Sequence, residues 1–179
     1  MEYWDLYSQD RIKNGSIHER GKDMPIDFYH VVVHVWIVNN EGKLLLTQRS
    51  ANSYRSPLKW ECTCGSVIHG ENSLQAALRE VKEEVGIDLD PNKGRLITSF
   101  RRDVVDKKRL NDFIDVYAFK TDKNYSLIDA TTKEVNDCRW IYPNMIKELL
   151  DGGEMINTQK YILDIVDEVM KWLKYLWVM

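Results

Sequence analysis

The chain has 179 residues, 44% hydrophobic and 11% aromatic, enough for one domain (1–179) with a sizeable core. Its 25 basic and 28 acidic residues leave a formal charge of −3, which argues against a protein that binds a nucleic-acid polymer through its backbone. No apolar run nears the roughly 18–20 residues of a membrane span, and the acidic, aromatic start is unlike a signal peptide, so no membrane association and a cytoplasmic location are expected.

In chain order, Tyr3-Trp4-Asp5-Leu6-Tyr7 is a strand candidate. The turn dipeptide Asn14-Gly15 follows, and the two predict a β-hairpin within an N-terminal extension over 1–24. The β-branched run from Phe28 to Asn39 reads as a buried strand. Asn40-Glu41-Gly42 turns the chain, and residues 43–49 return as a second strand. Ser56-Pro57 opens a loop into a short strand before Gly65. The odd number of cysteines, Cys62, Cys64 and Cys138, makes a disulfide framework a poor reading.

Between Asn72 and Val85 the apolar residues Leu74, Ala77, Leu78, Val81 and Val85 recur in steps of three and four, the stripe of an amphipathic helix that Gly86 stops. Glu80, Glu83 and Glu84 fall at i, i+3 and i+4 on it, so Glu80 faces both others. Like charges so placed weaken a bare helix by a few tenths of a kcal/mol per pair. A hard divalent cation removes that cost, because carboxylate oxygens are what Mg²⁺ selects. Further strands are expected near 95–105, 112–120 and 135–141. Pro143 opens a short helix to about Leu150, and helical spacing returns over 157–176. The expectation is a mixed sheet with a helix on each face, in the α/β class.

Residues 65–87 carry the pattern G-x5-E-x7-R-E-U-x-E-E-x-G-U (U, bulky aliphatic) with every fixed position filled. This resembles the signature box of the Nudix hydrolases. The resemblance implies an α/β/α sandwich and hydrolysis, by activated water, of a diphosphate linked to another group. It implies Mg²⁺ (or Mn²⁺) held by Glu80, Glu83, Glu84 and the carbonyl of Gly65, with the three glutamates as the catalytic set. It also pairs Glu71 with Arg79, which ties the box loop to the helix. The base is either a box glutamate or an outside carboxylate, for which Asp112, Asp115 and Glu134 are the candidates. Related branches act on nucleoside diphosphates, so the expected partner is a small-molecule diphosphate of nucleotide type. Arg49 could grip phosphate, and Tyr29 or Trp60 could stack on a base.

Trp4-Asp5-Leu6-Tyr7, Arg20-Gly21, Tyr29-His30-Val31, Gln48-Arg49 and Trp60-Glu61-Cys62-Thr63 are similar to the branch related to isopentenyl diphosphate isomerase. An isomerase using Cys64 is therefore an alternative, and His30 matches one of that enzyme's metal histidines. Two further metal histidines are replaced by Asp23 and Ser66, and the box here is intact for hydrolysis. A sensor that binds a nucleotide or sugar diphosphate without turnover is the third reading; it sits poorly with a full set of box glutamates. His30 and His34 share one face of an apolar strand, where buried structural histidines are common, and His69 in the box loop is expected to be solvated. The terminal stretch Trp172-Leu173-Lys174-Tyr175-Leu176-Trp177 has more apolar surface than one helix face needs, and a homodimer contact is one use for it.

Overall fold

The computed structural model describes residues 1–105 and 108–175. The strands are β1 (Tyr3–Tyr7), β2 (Lys13–Glu19), β3 (His30–Val38), β4 (Leu44–Arg49), β5 (Trp60–Glu61), β6 (Thr63–Ser66), β7 (Gly94–Val105), β8 (Lys108–Lys120) and β9 (Val135–Ile141). The helices are α1 (Ser73–Val85), α2 (Ile146–Asp151) and α3 (Ile162–Tyr175).

β3 is the spine of a mixed sheet. It runs parallel to β8 in register from His30↔Asp112 to Val38↔Lys120, and antiparallel to β6 through Val33↔Gly65. β7 pairs with β8 at one edge, while β4 carries β5 and β9 on the other side. Alternate residues of β3 point to opposite faces. Val31, Val33, Val35 and Ile37 pack with Ala76, Ala77, Val81 and Val85 of α1. Val32, Trp36 and Val38 join a second core with α2 and α3. A strand buried on both faces needs a continuous apolar run, which is the sequence pattern of 30–38.

Helix α1 starts at a capping box, with Asn72 Oδ1 accepting from Gln75 N and Gln75 Oε1 accepting from Asn72 N, both at 2.9 Å. It stops at Gly86, whose φ of 72° is left-handed.

Two expectations are corrected. Asn14-Gly15 lies inside β2, and the hairpin turns instead at Ser8–Arg11, where Arg11 N donates to Ser8 O at 2.9 Å. Asn14 Oδ1 takes the amide of Ser16 at 2.9 Å, so the dipeptide makes its local turn without reversing the chain. The last helix begins at Ile162; Asn157–Gln159 form a separate 3₁₀ turn. There Gln159 Oε1 accepts the buried Cys62 amide at 2.8 Å, a bond continued α-helix would not supply. Of the terminal stretch expected as a contact surface, the side chains from Leu173 onward lie outside the described residues.

Candidate active site

Helix α1 brings its glutamates to the end of β6. Ala77, Val81 and Glu84 lie at i, i+4 and i+7, so Glu84 stands on the apolar stripe and is only 6% exposed. Glu80 and Glu83 lie beside that stripe, with side chains 12% and 40% exposed. The Glu80 carboxylate rests against Gly65, and a Cβ built on Gly65 would overlap it. The glycine that opens the box is thus a seat for a carboxylate as well as a close backbone approach.

Arg79 holds this arrangement. Its Nε and Nη2 donate to Glu71 Oε1 and Oε2 at 2.8 and 3.1 Å. Nη1 donates to Glu80 Oε1 at 2.7 Å and Glu83 Oε2 at 3.0 Å, and Nη2 also donates to Ser66 O at 3.0 Å. Those five bonds use all the N–H groups a guanidinium has. Burial opposes its charge, but the bonds to Glu71 and Glu80 more than offset it and keep Arg79 firmly protonated.

Burial pushes the Glu80 carboxyl up to about 7 against the pull of Arg79, with Glu83 and Glu134 adding to the rise. Glu84 is raised well above the carboxylate range by burial, then by Glu61, Glu80 and Glu134. Glu80 and Glu84 therefore sit in the negative field of neighbouring carboxylates. Among the described residues no three His, Cys, Asp or Glu side chains yet stand close enough to grip one ion. Arg79 bonds an oxygen of both Glu80 and Glu83 in this arrangement.

The residues nevertheless fit a hard divalent cation. Glu84 Oε2 and Thr63 Oγ1 are buried without a hydrogen-bond partner, which is costly unless something positive or donating meets them. Above the helix opens a cleft of about 150 Å³. α1 contributes Arg79, Glu80 and Glu83, the loop before β9 contributes Thr132 and Glu134, and the N-terminal hairpin contributes Glu2 and Arg20. Four carboxylates against two guanidiniums cannot hold a polyphosphate without added cations.

Of the three candidate bases outside the box, Glu134 lines this cleft and Asp112 and Asp115 do not. The amides of Thr131 and Thr132 donate to Glu83 O at 2.9 and 3.2 Å and dock its loop on the end of α1. Asp112 is gripped by Arg102 at 2.8 and 2.7 Å, and Asp115 by Arg11 at 2.7 and 2.6 Å. Both are buried structural pairs. Arg49 donates from Nη1 to Glu61 Oε1 at 2.6 Å and from Nε to Arg55 O at 2.9 Å. Tyr29 is buried with its hydroxyl on Asp103 at 2.6 Å, and Trp60 is buried under the guanidinium of Arg139 at 4.0 Å. None of Arg49, Tyr29 and Trp60 lines the cleft.

Cys64 Sγ donates to Glu61 Oε2 at 3.4 Å, and burial, Glu61 and Glu84 push its thiol well up, the opposite of an activated thiolate. His30 is buried face to face with Trp4 at 4.1 Å. His34 Nδ1 lies 2.8 Å from the Tyr161 hydroxyl. His69 is bound rather than merely solvated: its Nδ1 lies 2.8 Å from Asp5 Oδ1, and its amide donates to Tyr3 O at 2.7 Å.

Asp5, Glu2, Arg20, Thr132 and Glu61 are the residues that sequence reasoning passed over. Asp5, Arg20 and Glu61 sat inside segments that carried the branch resemblance, but nothing local in them gave a role. Their partners lie far away in the chain, as with Asp5 and the box loop at Gly70.

The NUDIX domain family model matches residues 28–159. An uncharacterized Nudix hydrolase of Listeria innocua is 34% identical over 157 residues, covering 87% of this chain and 89% of its own. The isopentenyl-diphosphate Delta-isomerase of Shigella flexneri is 25% identical over 142 residues, covering 78% of this chain and 76% of its own. A crystal structure of DR0079 from Deinococcus radiodurans superposes with a TM-score of 0.66 at 22% identity, over 86% of this chain and 91% of that one.

Proposed function

This chain belongs to the Nudix family and is a Nudix hydrolase, and on that premise we propose that it cleaves the diphosphate linkage of a nucleoside diphosphate derivative with Mg²⁺ as cofactor. The observation that carries the proposal is Glu84, a buried carboxylate with an unpartnered oxygen among Glu61, Glu80 and Glu134. Glu80, Glu83 and Glu84, with the backbone at Gly65, are the groups that would hold the ion, and Mn²⁺ would suit the same oxygens. Such an ion, when bound, neutralises phosphate charge and acidifies water.

The rest belongs to the chain's own residues. Arg79 keeps Glu71 and the box loop fixed and lends one positive charge to the cleft. Glu134, which lines the cleft, would take a proton from water as its oxygen attacks phosphorus and the bridging P–O bond breaks. The cleft's polar lining suits the diphosphate rather than a base, so the nucleoside would extend out of it. The partner is a small molecule, not a nucleic-acid polymer or a membrane. No helix among the described residues is long and apolar enough to cross one. A cytoplasmic location and a homodimer formed through the C-terminal stretch complete the proposal; a sedimentation series over concentration that finds only monomer would contradict the dimer.

The test is phosphate and pyrophosphate release with Mg²⁺ from a panel of nucleoside di- and triphosphates, sugar nucleotides, dinucleotides and isopentenyl diphosphate. Release from a nucleotide member supports the proposal. Isomerisation of isopentenyl diphosphate, lost in Cys64→Ala, would instead favour the reading that the similarity to the isomerase raises. Binding without turnover across the panel would favour a sensor.

A further inference from the structure

We infer that Arg20, carried by the N-terminal hairpin, is a phosphate-binding residue of the active site, with Glu2 as the counter-ion it releases when substrate arrives. The inference rests on the hydrolase reading and adds a binding group from outside the box.

Arg20 and Arg79 are the two cations among the cleft's lining side chains. Arg79 has spent its five N–H groups on Glu71, Glu80, Glu83 and Ser66 O. Arg20 has not: among the described residues its side chain makes one ion pair, Nη1 to Glu2 Oε2 at 2.5 Å, and it remains 53% exposed. An exposed pair of this kind is weakly held against water, so exchange for a phosphate costs little. A guanidinium fork also matches two phosphate oxygens better than a single carboxylate oxygen. Arg20 lines the same cleft as Glu80 and Glu83, carboxylates that would hold the cation, and as Glu134.

The hairpin is fixed firmly enough to aim it. Asp5, 4% exposed, accepts from Gly70 N at 3.2 Å and meets His69 Nδ1 at 2.8 Å, pinning β1 to the box loop. Tyr7 and Tyr29 exchange both backbone bonds, at 2.8 and 2.9 Å, which joins β1 to the start of β3. Arg20 N donates to Glu2 O at 2.9 Å, and Trp4 Nε1 donates to Glu2 Oε1 at 3.2 Å. Glu2 is thus held by two neighbours while Arg20 keeps free donors toward the cleft.

The experiment is calorimetric titration with Mg²⁺ and imidodiphosphate, whose P–N–P bridge resists cleavage, alongside KM and kcat on the best substrate of the panel. Arg20→Ala is expected to weaken imidodiphosphate binding and raise KM by about tenfold to a hundredfold, the size of one charge-assisted contact, with a smaller change in kcat. Arg20→Lys should recover part of the loss, and Glu2→Gln should tighten binding severalfold, a sign that simple damage to the hairpin would not give. Wild-type binding and KM in Arg20→Ala would overturn the inference and leave the hydrolase standing. A wild type that neither binds imidodiphosphate nor turns over any panel member would overturn both readings.

Discussion

Glu84 is the residue on which charge and burial disagree most. Its carboxylate sits on the apolar stripe of α1 with one oxygen unpartnered, so the protein without a cation holds it at a cost. Glu84→Gln removes the titrating charge at almost constant shape. Mg²⁺ should raise the melting temperature of the wild type, because a ligand bound only to the folded state stabilises it. The same addition should leave Glu84→Gln unshifted, and an equal rise in both would exclude Glu84 as a ligand. Gly65 makes the second residue-level prediction. A Cβ there overlaps the Glu80 carboxylate, so Gly65→Ala should swing that carboxylate aside and cost most of the activity, with a small loss in urea unfolding because the far end of the Glu80 side chain can move. An alanine variant as stable and active as the wild type would remove Gly65 as the seat of Glu80. At this scale the box was legible, because its spacing fixes which side chains share a helix face. Asp112, Asp115 and Arg49 could not be told apart from cleft-lining residues, since their partners Arg102, Arg11 and Glu61 are assigned only by folding.

Among the elements, the N-terminal hairpin is fastened to the box loop chiefly through Asp5. Asp5→Ala strands the Gly70 amide and removes the partners of His69 and Lys13. The variant should be cut faster by protease near residues 8–14 and should show a raised KM, whereas unchanged proteolysis would mean that the backbone bonds at Tyr7 and Tyr29 suffice. The hairpin's existence was readable from an aromatic strand and a turn dipeptide, but its turn was misplaced, because Asn14 Oδ1 takes the Ser16 amide locally within β2. Packing of α3 on β3 creates a pH response. Trp36 Nε1 donates to the Tyr161 hydroxyl at 3.2 Å, and His34 Nδ1 lies 2.8 Å from the same hydroxyl, so the ring is buried with a partner for one nitrogen. Burial, with Arg102 adding to it, lowers His34 to about 3. The folded state therefore refuses a proton that the unfolded chain accepts below about 6.5, so the stability it lends is complete above that pH and is lost as pH falls toward 3. Relative to His34→Asn, which keeps a hydrogen-bond partner near Tyr161, the wild type should lose roughly 1.4 kcal/mol per pH unit between about pH 6 and 4.5 in urea titrations. Parallel curves would show that His34 is protonated in the folded protein.

Across the whole molecule, the fold serves one junction: α1, the loop before β9 and the N-terminal hairpin meet around a cleft walled by opposing charges. The mixed sheet between α1 on one face and α2 and α3 on the other follows from β3, whose unbroken apolar run demands cover on both sides. That architecture was legible from period and resemblance together. The order of strands was not, because the β3–β8 pairing joins segments more than seventy residues apart and leaves no local mark. The most direct test of the account is the initial rate of diphosphate hydrolysis against Mg²⁺ concentration, for the wild type and Glu84→Gln, on the best substrate of the panel. The account predicts a wild-type rate that vanishes with chelator and returns with Mg²⁺, and a variant slower by about a thousandfold, roughly 4 kcal/mol of barrier. A rate indifferent to the metal, or a variant as fast as the wild type, would contradict it.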